Sequence, residues 1–135
     1  MRFIDLQGRE HNKSIDKYKY ATRTISKSRG QRELGENLEA LFPRLTILEE
    51  FPCFGTRLTL DYYLPTLGIA FEFDGIQHEE YNEFFHGGNR SNFAKGQMND
   101  VKKDQWCIGN TIKLIRITAQ NIHRLQEIIY ERTRE

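Results

Sequence analysis

Two short apolar segments in the middle of the chain carry carboxylates where strand interiors normally carry none. Leu60-Asp61-Tyr62-Tyr63-Leu64-Pro65 and Ile69-Ala70-Phe71-Glu72-Phe73-Asp74-Gly75-Ile76-Gln77-His78 read as neighbouring strands and the turn that follows them. An unpaired carboxylate buried in such a segment is expensive. Hard divalent cations prefer oxygen ligands and are the commonest way to hold several carboxylates together. The segment therefore predicts a metal-dependent site as well as a sheet.

The 135 residues match the usual size of one domain with one core. No apolar run approaches the length needed to span a bilayer. The start, Met1-Arg2-Phe3-Ile4-Asp5, lacks the apolar stretch of a signal peptide, so the cytoplasm is the expected compartment. Cys53 and Cys107 stand far apart with no Cys-x-x-Cys pair. Two buried free thiols are expected, and neither a disulfide framework nor a structural zinc is. Net charge is only +1, but residues 1–33 hold nine Lys and Arg against four acids. That bias fits a basic arm binding a phosphate backbone, and equally a solvated tail.

Residues 1–27 are polar and weakly periodic, and read as an extended N-terminal arm with one short helix. Residues 31–42 place Leu34, Leu38, Leu41 and Phe42 at helical spacing before Pro43. Strands are expected at 46–51, 57–63 and 67–74. Period 2 sets Asp61 opposite the leucines of its strand and puts Ala70, Glu72 and Asp74 on one face of the next. The short connector Leu64–Gly68 favours a hairpin, which brings Asp61 and Glu72 onto one surface. Residues 75–96, with Gly75, Gly87, Gly88 and Gly96, read as a long loop. Its aromatic and basic residues, Arg90 and Lys95 among them, suit nucleic-acid contact or packing back on the core. A helix over 97–109 is expected to bury Met98, Val101, Gln105, Trp106 and Ile108. A strand at 111–117 reads as central because it is largely apolar. A helix over 119–133 closes the chain. The expected fold is α/β, with a mixed sheet in the order α-β-β-β-α-β-α flanked by helices.

That order and its acidic positions resemble the core of the PD-(D/E)XK nucleases. The nearer match is to the very-short-patch-repair-like branch that includes the EDxHD homing endonucleases of phages. The matching residues are Gly35-Glu36, Asp61 to Pro65, Phe71 to His78, Asn99-Asp100, Lys103 and Leu114 to Ile117. The resemblance covers roughly residues 28–130 and defines a nuclease domain over 28–135, with residues 1–27 outside it. It implies a restriction-endonuclease-like core that hydrolyses DNA phosphodiester bonds with Mg²⁺, or with Mn²⁺. Double-stranded DNA is the implied partner, in a phage or bacterial cell, and cutting both strands would favour a homodimer.

Carried over by position, Glu36, Asp61, His78 and Asp100 take the EDxHD roles, and Glu72 takes the general acidic position. The chain departs from the pattern at Asp74, where the family places a Lys; Gln77, His78 or Lys103 is left to supply that function. Asp61, Glu72 and the Phe73 carbonyl are the expected metal ligands. His78 has the ordinary pKa of a general acid or base, and Asp100 or Glu36 would orient it or reach the metal through water. Arg57, Arg90, Lys95 and Lys103 are the expected DNA contacts. The competing reading is a DNA-binding module that retains the fold without catalysis; a nuclease acting on branched DNA or RNA is a third.

Overall fold

A computed structural model describes residues 1–20, 28–75 and 90–135, and in the last stretch its side chains from residue 94 onward. Strands β1 (Arg2–Ile4) and β2 (Glu10–Asn12) form an antiparallel hairpin. Helix α1 (Arg29–Leu41) leads into β3 (Leu48–Pro52), β4 (Thr59–Leu64) and β5 (Ile69–Asp74). Helix α2 (Arg90–Gly109), β6 (Lys113–Thr118) and α3 (Leu125–Thr133) follow. The main sheet runs β3-β4-β5-β6; β5 and β6 are parallel and the other pairs antiparallel. The protein is thus mixed α/β, with a four-stranded mixed sheet flanked by helices.

Local chemistry explains most boundaries. Ser28 caps α1, its Oγ accepting from the Gln31 amide at 3.2 Å, and Pro43 follows the last turn. Leu34 and Leu38 are buried against Tyr62 and Phe71 of the sheet. Gly35 permits this approach, because a Cβ there would stand 2.4 Å from the Tyr62 hydroxyl. That hydroxyl donates to the Gln31 carbonyl at 2.8 Å. Before α3, Asn121 Oδ1 accepts from the Thr118 amide at 2.7 Å and turns the chain.

Each face of the sheet has its own core. Leu34 and Leu38 of α1 and Leu125 and Ile129 of α3 cover Tyr62, Leu64, Phe71, Ile115 and Ile117. On the other face, Trp106 and Cys107 of α2 join Tyr63, Ala70 and Ile112. Cys53 and Cys107 are free and buried there, as expected.

Four expectations need correction. Among the described residues, strand β6 is an edge strand, not a central one. Its apolar content arises because α2 and α3 cover its two faces, not because strands flank it. Helix α2 begins at Arg90 and passes through Gly96, within the segment expected to be loop. Ala94, Lys95, Gln97 and Met98 are strong helix formers and outweigh one glycine worth about 1 kcal/mol. The stripe of α2 expected inside is largely outside: Met98, Val101 and Ile108 are 55%, 47% and 75% exposed. Of that stripe Trp106 is buried as expected, with Cys107 next to it and Lys103 turned inward beside them.

The fourth correction concerns the N-terminal arm. Phe3, Leu6, Ile15 and Tyr18 fold against the α2 side of the sheet, and Tyr20 reaches Tyr62 on the α1 side. The Phe3 ring lies 5.3 Å from those of both Phe51 and Phe54 and stacks on Trp106 at 5.7 Å. Asn110 secures the hairpin by accepting from the Ile4 amide at 2.7 Å and donating to its carbonyl at 2.9 Å. The charge of this segment masked its buried ring. Phe3→Ala is expected to cost about 3 kcal/mol or more, the usual loss for a buried ring. Urea unfolding measures this, and an unchanged midpoint would show that the hairpin lies outside the cooperative core.

Candidate active site

The β4–β5 register pairs Tyr62 with Phe71, and its next step sets Asp61 opposite Glu72. Both side chains face α2, while Tyr62, Phe71 and Phe73 turn to the α1 side. Asp61 Oδ2 accepts from the Phe73 amide at 2.7 Å, which fixes its carboxylate against β5. Glu72 is only 6% exposed. From α2, Lys103 Nζ donates to Glu72 Oε1 at 2.5 Å.

This is a crowded charge site. Burial, and then Asp61 beside it, push the Glu72 carboxyl up to about 8 although Lys103 pulls the other way. Burial raises Asp61 as well, against the Phe73 amide that favours its anion. Their interaction lowers Asp61 and raises Glu72, so a proton held by Glu72 is shared with the Asp61 anion. Burial disfavours the Lys103 ammonium, but Glu72 and Asp61 more than offset it and keep it protonated.

The donor chemistry fits a hard divalent cation. Two carboxylates from adjacent strands compete for a proton, and a cation between them would replace it. Among the described residues no group of three or more His, Cys, Asp and Glu side chains could hold a metal alone. Asp61 and Glu72 would therefore bind such an ion together with oxygens from water or a phosphate.

The remaining expected residues divide clearly. Glu36 is exposed on α1, whose buried side packs on the opposite face of the sheet, and its charge acts on Tyr20. It is not brought to Asp61 and Glu72. Asp100 joins a cluster around Arg116: the Arg116 guanidinium lies 2.8 Å from Asp104, 3.9 Å from Asp74 and 4.0 Å from Asp100. The Phe73 amide is engaged by Asp61. Gln77 and His78 lie outside the described residues, as does the Arg90 side chain. Arg57 and Lys95 line one cleft of about 450 Å³, and Lys102 lines it with them.

Sequence reasoning missed three residues here. Lys102 sits beside Lys103 on α2, and the α2 pattern gave no reason to prefer it. Arg116 is the register partner of Glu72, which only the parallel β5–β6 pairing reveals. Glu50 on β3 stands across from Asp61 by register and raises its pKa. Its backbone is left-handed, with φ +50°, and its carboxylate accepts from Gln31 at 2.8 Å and Thr59 at 3.1 Å. A non-glycine residue in that region is uncommon and marks a place where the surroundings impose the conformation.

Comparison with known proteins adds relatives without a described activity. The chain is 33% identical over 96 residues to Uncharacterized protein 033L of Invertebrate iridescent virus 3, covering 67% of this chain and 48% of that protein. It is 39% identical over 66 residues to Uncharacterized protein 094L of Frog virus 3 (isolate Goorha), covering 49% and 43%. The chain thus spans about half the length of the curated relatives it matches. No family model and no solved structure matches it. Among the described residues, no helix is long and apolar enough to cross a membrane.

The shared proton has a measurable consequence. The folded chain holds the Glu72 proton to about pH 8, whereas the unfolded chain releases it near 4.5. Between those values the folded state binds more protons, so its stability falls as pH rises. Asp61 is raised too and acts in the same sense, while Lys103 titrates above this window. In EDTA, the melting temperature is expected to drop between about pH 5 and pH 8, and Glu72→Gln should flatten the slope. Mg²⁺ should restore stability at the upper end; a flat wild-type profile in EDTA would exclude the shared proton.

Proposed function

We propose that this chain is a metal-dependent nuclease that hydrolyses DNA phosphodiester bonds, with a PD-(D/E)XK-like core. One observation carries the reading. A buried carboxylate, Glu72, and a half-buried one on the adjacent strand, Asp61, meet a lysine, Lys103 at 2.5 Å from Glu72, on the helix whose Lys95 and Lys102 line a cleft with Arg57. Stability alone does not favour that arrangement, because a buried charge cluster is often matched or bettered by apolar residues of the same volume. Buried titratable groups with opposed partners are instead typical of reaction sites.

Phosphodiester hydrolysis needs a positioned nucleophile, relief of charge on the phosphorus and a proton for the leaving oxygen. A divalent ion held by Asp61 and Glu72 would supply an activated water and charge neutralisation. Asp61, fixed by the Phe73 amide, holds its share of the donor set in one orientation. Lys103 keeps its proton at neutral pH, so it serves as a fixed cation toward a phosphate and not as a base. It supplies from a helix the charge that Asp74 cannot supply from the strand. Arg57, Lys95 and Lys102 neutralise neighbouring phosphates and hold the strand against the site.

Supercoiled plasmid incubated with Mg²⁺ or Mn²⁺ tests the proposal. Wild type should nick or cut it. Asp61→Asn, Glu72→Gln and Lys103→Ala should each lower the rate by about a hundredfold or more, the usual loss when one preorganised charge is removed. If no DNA is cut with either ion, or if the three variants cut as fast as wild type, this assignment is wrong.

A further inference from the structure

Charge in this chain is nearly balanced, with 20 basic and 19 acidic residues, yet the lining of one cleft along α2 is not. Arg57, Lys95 and Lys102 line it, and none of its described lining residues is acidic. The β1–β2 turn forms one wall and α2 another.

The rest of the lining is not what a phosphate strip requires. Leu6 and Leu58 add apolar surface, and Gln7 and Asn99 add amides. An amide presents a donor and an acceptor side by side, as a base edge does. Apolar walls with a few polar groups are the ordinary lining of a pocket for a small planar ligand. A duplex meets cations mainly through its outer phosphates, and its stacked bases cannot enter a recess of this kind.

The position matters as much as the lining. Asn99 and Lys103 are one turn apart on α2, about 6 Å along the axis. Leu58 precedes Asp61 by three residues, about 10 Å along an extended chain. The cleft and the carboxylates are thus reached from the same helix and from the same stretch of chain around β4.

We infer that the cleft between the β1–β2 turn and α2 binds an unpaired nucleotide of the substrate strand. Its phosphates lie on Arg57, Lys95 and Lys102, and its base lies between the leucines and the two amides. The favoured substrate is then single-stranded or locally unpaired nucleic acid. This deepens the nuclease reading and rests on the chain acting on nucleic acid, but it is separable from cleavage.

Fluorescence anisotropy in EDTA separates the two. A labelled 15-nucleotide single strand and the blunt duplex of the same sequence are titrated with the full chain. The single strand should bind roughly tenfold more tightly. Lys102→Glu should weaken it about tenfold and reduce the salt slope by roughly 0.7, the share of one phosphate contact. Asn99→Ala should narrow the difference between strand and duplex. Arg44→Glu, an equal charge change in the α1–β3 connection, should matter much less, and circular dichroism checks that each variant is folded. Equal affinity for strand and duplex, no binding of either, or equal effects of Lys102→Glu and Arg44→Glu would each overturn the inference. A wild type that prefers the single strand yet cuts nothing would uphold the cleft and reject the nuclease.

Discussion

The contact between Lys103 and Glu72 organises this molecule. It joins the middle of α2 to the middle of β5, across 31 residues of sequence, in a nearly dry environment. Leaving either partner alone in such a place typically costs about 3–5 kcal/mol, so helix and strand are committed to one relative position. Given that position, Trp106 and Cys107 face inward three and four residues later, and Trp106 Nε1 reaches the Phe54 carbonyl at 3.1 Å. The same turn of α2 sends Met98, Val101 and Ile108 outward. The inward side of α2 is therefore shared by one charged side chain and two apolar ones.

The two faces of the sheet consequently differ in kind. The α1–α3 face is an ordinary apolar layer, closed by Leu34, Leu38, Leu125 and Ile129. The α2 face is apolar at one end, where Phe3 and Trp106 stack, and charged at the other. Glu50 lies on β3, its carboxylate bonded to Gln31 of α1 and Thr59 of β4. Its left-handed backbone breaks the period of two, so Leu48 and Phe51, three residues apart, join the same cluster. The edge strand can thereby feed the aromatic core and still hold a carboxylate across from Asp61.

The order of elements from α1 onward was legible in the sequence because it depends on short-range pattern; the β1–β2 hairpin was not. Period 2 in β4 and β5 and the tight connector between them predict that Asp61 and Glu72 share a surface, and the register places them opposite each other. What was not legible depends on pairings distant in the chain. Periodicity identifies an apolar stripe on α2 without saying which stripe meets the sheet. Strand composition reports burial of both faces and cannot separate a central strand from a covered edge, which is why β6 was misplaced. Phe3 is hidden for a related reason: one aromatic ring in a charged segment carries no pattern, although its burial beside four other rings determines where that segment lies.

Asp74 shows how a local departure from a motif can be resolved in three dimensions. It faces the same side as Glu72, but its partner is Arg116 on the neighbouring strand, 3.9 Å away. Arg116 also meets Asp104 and Asp100, so one cation stands among three acids and is committed to holding β6 to α2. A guanidinium so occupied has little charge left for a ligand. Lys103 differs. Its ion pair is with Glu72, and it also feels Asp61, the two groups that a divalent cation would draw away. Once a metal took up their charge, the Lys103 ammonium would lose its main counter-ions and turn toward the nearest anion. Under the nuclease reading that anion is the scissile phosphate. The lysine missing from the strand then has its counterpart on the helix, and Asp74 is free to serve the fold.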